Sequence, residues 1–190
     1  MLVLLDRDGV LNVNRDDYVK APAELAMLPG SAAAVARLNA AGHRVAVCTN
    51  QSAVGRGIIG EERLAEIHGR LHQELARAGG RLDALFHAPD PPWAASDRRK
   101  PGPGMLREAM ARLRRGAEPV LFIGDSLSDL QAAHAAGCAR VLVRTGHGAT
   151  SVDCVGLGAS VAVCDSRFAA GAGGCERGAG PESGPDANLS

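Results

Sequence analysis

Five short runs of apolar and β-branched residues, Leu2–Leu5, Arg44–Cys48, Ala84–Phe86, Val120–Ile123 and Val141–Val143, recur along the chain with stretches of helical period between them. Runs this short and apolar are strands buried on both faces, and strands that alternate with helices build parallel βαβ units. The pattern predicts an α/β fold of three layers. It is Rossmann-like, with a mainly parallel sheet of five strands, or six if Val161–Cys164 adds an edge.

The helices between them follow from spacing and end signals. One is expected from about Ser31 to Ala41, with Ser31 as a cap and Val35 and Leu38 facing inward. A second places Leu64, Ile67, Leu71 and Leu75 on one stripe and stops at Gly79-Gly80. A third begins near Pro103-Gly104 and carries Leu106, Met110 and Leu113, and a fourth follows Ser128 and stops at Gly137. With 190 residues the chain suits one core. Residues 1–168 are expected to form that domain. The Gly/Ala/Pro-rich stretch 169–190, with Leu189 as its sole large aliphatic, is expected to be disordered, because it offers too little apolar surface to offset the entropy of ordering.

Lysine plus arginine and aspartate plus glutamate each number 21, so no overall field draws the protein to nucleic acid or an anionic membrane. No apolar run approaches the roughly 20 residues of a membrane span. The five cysteines are scattered without a C-x-x-C pair, as suits reduced thiols in a cytoplasmic protein. The expected partner is a small phosphorylated molecule met by a monomer, with neither nucleic acid nor membrane involved.

Open parallel sheets bind ligands beyond the carboxyl ends of their strands. Here the first strand runs into Asp6-Arg7-Asp8-Gly9, the second into Thr49-Asn50-Gln51-Ser52, and the fourth into Gly124-Asp125-Ser126, while Arg99-Lys100-Pro101 precedes the third helix. All the polar clusters share one rim. Asp6, Asp8 and Asp125 can form an oxygen-only cage of the kind Mg2+ accepts while it holds a substrate phosphate. Phosphoryl transfer needs a nucleophile, a proton donor for the leaving oxygen and positive charge on the transferring group. Asp6 can be the first, Asp8 the second, and Lys100 with the Thr49 hydroxyl can hold the phosphoryl oxygens.

These four clusters, in this order at these element ends, resemble the motifs of the haloacid dehalogenase (HAD) superfamily over about residues 2–147. The resemblance implies a HAD core, a Mg2+-dependent phosphoric monoester hydrolase, and an aspartyl-phosphate formed on Asp6. Asp8 would protonate the leaving group and later activate water. Mg2+ would be held by Asp6, the main-chain carbonyl of Asp8 and Asp125, with Asp129 as an auxiliary ligand. The second strand follows too soon after Asp8 for a large cap domain, so specificity must come from short loops.

The segments Asp-Arg-Asp-Gly-Val (6–10), Thr-Asn-Gln-Ser-x-Val-Gly-Arg-Gly (49–57), Arg-Lys-Pro-x-Pro-Gly-Met (99–105) and Gly-Asp-Ser-Leu-x-Asp-Leu-Gln-Ala-Ala (124–133) are similar to the D-glycero-D-manno-heptose 1,7-bisphosphate 7-phosphatases. That family shares its pattern with the histidinol-phosphate phosphatases, which, with another small-metabolite HAD phosphatase, remain the alternative. The resemblance implies removal of the 7-phosphate of a heptose bisphosphate in nucleotide-heptose biosynthesis, for lipopolysaccharide or a related glycan. It also implies substrate contacts from Asp16, Asp17, Tyr18, Asn50, Gln51 and Ser52, recognition by Arg99, and, with Arg56, positive charge for the distal phosphate. The family's structural zinc loop is not matched. Residues 87–98 contain His87 but no cysteine, so no zinc is expected, and the prolines and Trp93 are left to order the loop. Ser126 stands where some relatives carry a basic residue. A signalling receiver domain is the rival from another class, but its adjacent acids on the first strand and its acceptor on the third are not found here.

Overall fold

The computed structural model describes residues 1–154, 161–164 and 175–177. Its strands are β1 (Leu2–Leu5), β2 (Arg44–Asn50), β3 (Ala84–Ala88), β4 (Val120–Gly124), β5 (Ala139–Val143), β6 (Val161–Cys164) and β7 (Cys175–Arg177). They form one sheet in the order β3-β2-β1-β4-β5-β6-β7, parallel throughout except for β7. The helices are α1 (Ser31–Ala40), α2 (Ser52–Gly55), α3 (Glu61–Arg77), α4 (Gly104–Leu113), α5 (Leu127–Ala135) and α6 (Gly148–Cys154).

The period of two along each strand divides the core in half. Leu2, Leu4, Ala46, Cys48, Phe86 and Phe122 face one side, where Met105, Leu106 and Ala109 of α4 and Ala132 and Ala133 of α5 cover them. Val3, Leu5, Val45 and Val47 face the other, against Val35 of α1 and Ile67, Leu71 and Leu75 of α3. This is the three-layer α/β arrangement expected of the sequence. No large cap is present among the described residues. The long connection from β1 to α1 is instead pinned to the core by Leu11, Val19 and Leu25. No helix is long and apolar enough to cross a membrane.

Burying a leucine completely stabilises the fold by about 1.5–3 kcal/mol, and truncating it also leaves a cavity. Leu71 is fully buried on α3. Leu71→Ala should therefore lower unfolding free energy by about 2–5 kcal/mol in urea titrations. A loss under about 1 kcal/mol would mean that α3 packs more loosely than this.

Four local expectations need correction. Ser31 does not cap α1; Gly30 holds that position, and the Ser31 hydroxyl donates to the carbonyls of Leu11 and Leu28 at 2.7 and 2.9 Å. The fourth predicted helix is α5, which starts at Leu127 with Ser126 as cap in a reciprocal box with Asp129. The strand Val161–Cys164 is not the edge, because β7 pairs with it antiparallel, Cys164 opposite Cys175. Cys175–Arg177 lies within the stretch expected to be disordered. A sheet edge recruits main-chain groups, which every residue carries, so a segment poor in large aliphatics can still pair. The rest of that stretch lies outside the described residues.

Candidate active site

Strand register sets the rim. Leu5 pairs with Val47 on one side and Ile123 on the other, so the carboxyl ends of β1, β2 and β4 lie on one side of the sheet, with β2 running on to Asn50 and β4 to Gly124. They deliver Asp6 and Asp125 to one cavity of about 440 Å³, whose walls also include Asp8, Tyr18, Gln51 and Lys100, while Thr49 is buried just outside that lining.

Lys100 is the hub. It is buried, and its Nζ lies 2.8 Å from Asp6 Oδ1 and 2.6 Å from Asp129 Oδ1. Burial works to lower the ammonium pKa, but Asp129 and Asp6 more than offset it and hold the charge on above the usual lysine range. The Asn50 amide fixes the main chain beneath: its Oδ1 accepts from Lys100 N–H at 3.0 Å and its Nδ2 donates to Lys100 C=O at 2.9 Å. Asn50, expected to touch substrate, lines the cavity and also uses its amide to position Lys100.

Asp8 is held differently. Its carboxylate accepts from Arg7 Nη2 on both oxygens at 2.9 Å, from Asn12 at 2.8 Å and from Gln51 at 2.8 Å. Burial pushes its pKa up, and the Arg7 guanidinium with these hydrogen bonds overcomes that, so the group sits below the ordinary carboxylate range. Arg7 is fully buried, and its Nη1 lies 3.3 Å from His68 Nε2 on α3. Arginine can only donate, so His68 accepts as a neutral ring. Burial first, and then the charge of Arg7, depress the His68 pKa to about 3. Gln51 also donates to Thr49 Oγ1 at 2.9 Å, leaving the Thr49 hydroxyl proton free for another acceptor.

Asp125 is the acid most short of positive charge. Burial, then Asp6 and Asp129, push its pKa to about 8, and Asp6 is raised to about 6, mainly by burial. Oxygens of Asp6, Asp125 and Asp129 lie within 4.8 Å of one another, close enough to share an ion. The donors are all oxygen, and among the described residues Lys100 is the cation paired with these acids, so the site fits a hard divalent cation such as Mg2+. Asp129 has both oxygens engaged: Oδ1 with Lys100, and Oδ2 with the N–H groups of Asp125 and Ser126 and the Ser126 hydroxyl.

Two glycines shape the pocket around Asp125. A Cβ on Gly9 would stand 2.2 Å from Asp125 Oδ2, and one on Gly146 2.1 Å from it, and both glycines have positive φ, 80° and 56°. The next residue's N–H, His147, donates to the same oxygen at 2.8 Å.

The sign of the pH dependence follows. An acid whose folded pKa is raised contributes stability that is present below its ordinary pKa and is lost as pH rises through the folded value. His68 works oppositely, but its contribution is complete above about pH 6.5. In chelator, the melting temperature should fall between about pH 6.5 and 9, chiefly through Asp125, and saturating Mg2+ should flatten the slope. A slope identical with and without Mg2+ would contradict this charge shortage.

Other expected residues divide. Asp16 and Tyr18 line the cavity, whereas Asp17 is exposed and tied to Arg15 at 2.9 Å and Lys20 at 2.6 Å. Ser52 is buried at the start of α2, and Arg56 and Arg99 stand outside the lining, near Tyr18. Arg7, His68, Asn12, Gly146 and His147 were not expected. The loop 87–98 is ordered by hydrogen bonds. The Ser96 hydroxyl donates to Asp90, Arg98 to the His87 carbonyl at 3.1 Å and Arg99 to the Asp90 carbonyl at 2.9 Å, while Trp93 is 70% exposed.

A family profile described as HAD-hydrolase-like matches residues 97–155. The chain is similar to the D-glycero-β-D-manno-heptose-1,7-bisphosphate 7-phosphatase of Bordetella bronchiseptica, 44% identical over 86% of this chain and 92% of that protein. It is also 44% identical to the Pseudomonas aeruginosa enzyme of the same name, over 77% of this chain and 83% of that one. The crystal structure of the B. bronchiseptica D,D-heptose 1,7-bisphosphate phosphatase, complexed with magnesium and phosphate, superposes with a TM-score of 0.82 at 45% identity. It covers 86% of this chain and 91% of that one.

Proposed function

The chain belongs to the D-glycero-D-manno-heptose-1,7-bisphosphate 7-phosphatases of the HAD-like hydrolases, and on that premise we propose how its own residues perform the reaction. It is a Mg2+-dependent phosphatase that removes the 7-phosphate from D-glycero-D-manno-heptose 1,7-bisphosphate. We assign it the β anomer, which the names of its relatives carry. The carrying observation is the Asp6 carboxylate at the cavity floor, pinned through one oxygen by the buried ammonium of Lys100.

Asp6 attacks the 7-phosphorus with its other oxygen. A phosphorus–oxygen bond to Asp6 forms as the bond to the sugar O7 breaks, and O7 takes a proton from Asp8. Asp8 is ionised at rest, so it must first take up a proton from solvent, which the approaching phosphate, a negative neighbour, favours by raising its pKa; that proton is the one passed to O7. In the second half, Asp8 takes a proton from water. That water attacks the phosphorus, freeing Asp6 and inorganic phosphate. Lys100 and the Thr49 hydroxyl hold the phosphoryl oxygens, and Asn50 and Gln51 keep both groups aimed.

Asp6, Asp125 and the Asp8 main-chain carbonyl would hold Mg2+, which when bound neutralises charge between the carboxylate and the phosphate. Asp129, with both oxygens committed, serves to orient Lys100 and cap α5.

The test is product analysis with heptose 1,7-bisphosphate and Mg2+. The expected product is heptose 1-phosphate with one equivalent of inorganic phosphate. Loss of the C1 phosphate, or faster turnover of histidinol phosphate, would overturn this substrate.

A further inference from the structure

We propose that Trp93 is a specificity-determining residue, which with Tyr18 holds the guanidinium of Arg56 beside Arg99 as receptor for the second phosphate of a bisphosphate. This inference rests on the functional reading above and adds to it a residue from the loop that lacks cysteine.

Trp93 lies on a short 3-10 turn, Pro92–Ala94, and at 70% exposure it is the most exposed large apolar side chain among the described residues. A single exposed indole is ordinary in itself, and what singles this one out is the cation it carries. Its ring is covered in one respect: Arg56 Cζ stands over it, 4.6 Å from the centroid. The same Cζ lies 5.9 Å from the Tyr18 ring, and Tyr18 lines the catalytic cavity. Tyr18 has a φ of 67°, a left-handed conformation rare for a bulky residue. Such strain persists where the surroundings impose it, and clusters at ligand sites.

Arg99 completes the group. Its Nη1 donates to the Asp90 carbonyl at 2.9 Å, which orients the guanidinium, and the charge of Arg56 is near enough to depress its pKa after burial has done so. Neither Arg56 nor Arg99 has an ion pair with a carboxylate among the described residues. Asp90 is the acid whose charge reaches Arg99, but its carboxylate accepts from Ser96 rather than pairing with either arginine, so the two together form a receptor for an external anion. Stacking occupies guanidinium faces and leaves the N–H edge free to fork onto phosphate oxygens. The reacting phosphate has its own clamps in Lys100 and Thr49, so this pair is left for the distal one.

The chain has one tryptophan, so its emission reports on this position alone. Trp93→Ala should raise KM for heptose 1,7-bisphosphate roughly three- to fivefold, as expected for loss of an exposed cation–π contact. It should leave kcat unchanged, and leave KM for the monoester p-nitrophenyl phosphate unchanged. Trp93→Phe, which keeps an aromatic face, should restore most of the affinity. In Mg2+-loaded Asp6→Asn protein, titration with the bisphosphate should shift the tryptophan emission, and adding Arg56→Met should abolish the shift. Equal losses on both substrates, or a shift that survives Arg56→Met, would overturn the inference alone. Wild-type protein that hydrolyses the monoester but not the bisphosphate would overturn both this inference and the functional reading.

Discussion

Asp6→Asn should reduce phosphate release from heptose 1,7-bisphosphate by about a thousandfold or more, equivalent to at least about 4 kcal/mol of barrier, while the protein stays folded. The amide is nearly isosteric with the carboxylate but cannot attack phosphorus, and the loss should fall on kcat. Lys100 keeps its shorter partner, Asp129, at 2.6 Å, so the pinning of the Lys100 segment survives. One acid fewer in the cage should also diminish the rise in melting temperature that Mg2+ produces. Turnover within tenfold of wild type would show that Asp6 is not the nucleophile.

Lys100→Met carries the second large effect, on stability as well as rate. The ammonium is buried between Asp6 and Asp129, and removing it leaves two acids facing each other with no cation between them. Breaking a buried pair in this way costs about 3–5 kcal/mol, which for a chain of this size lowers the melting temperature by about 6–20 °C. The penalty should shrink at low pH, where the acids take up protons, and when Mg2+ is added. The double variant Lys100→Met/Asp129→Asn should regain part of the loss, because one uncompensated charge has gone with its partner. Activity should not return, since the phosphoryl clamp is still missing. A Lys100→Met protein as stable as wild type in chelator would contradict the placement of this charge.

Much of the site can be read from the chain because strand ends are local. Asp6, Thr49 and Asp125 each end a run whose period marks it as a strand, and a parallel sheet brings such ends to one rim without knowledge of side-chain contacts. Lys100 is legible through its motif. What stays hidden depends on pairing between distant segments. Arg7 reads as an ordinary charged residue between two acids; that it is buried, and held from the far side by His68 of α3 while it grips Asp8, is not visible locally. His68 itself flanks an apolar stripe and carries no local signal. Gly146 follows β5 in a short turn, and its role emerges only from the closeness of Asp125 Oδ2.

Asp17 errs in the opposite direction. It sits in a loop that faces the cavity, but Arg15 and Lys20, two and three residues away, take its carboxylate at the surface. Asn50 lines the cavity, and its amide also brackets the Lys100 peptide, a partner no spacing rule would suggest. The strand β7 escapes notice because main-chain pairing at a sheet edge leaves little trace in composition.

The most direct test of the account is to catch the covalent step. Wild-type protein with Mg2+ should be mixed with bisphosphate labelled at the 7-phosphate, quenched in acid within one turnover, and digested with pepsin at low pH, where an acyl phosphate survives. One labelled phosphoryl group is expected on the N-terminal peptide at Asp6, and none in Asp6→Asn protein. Phosphate released in a single turnover with no label ever passing through Asp6, or label on another residue, would contradict it.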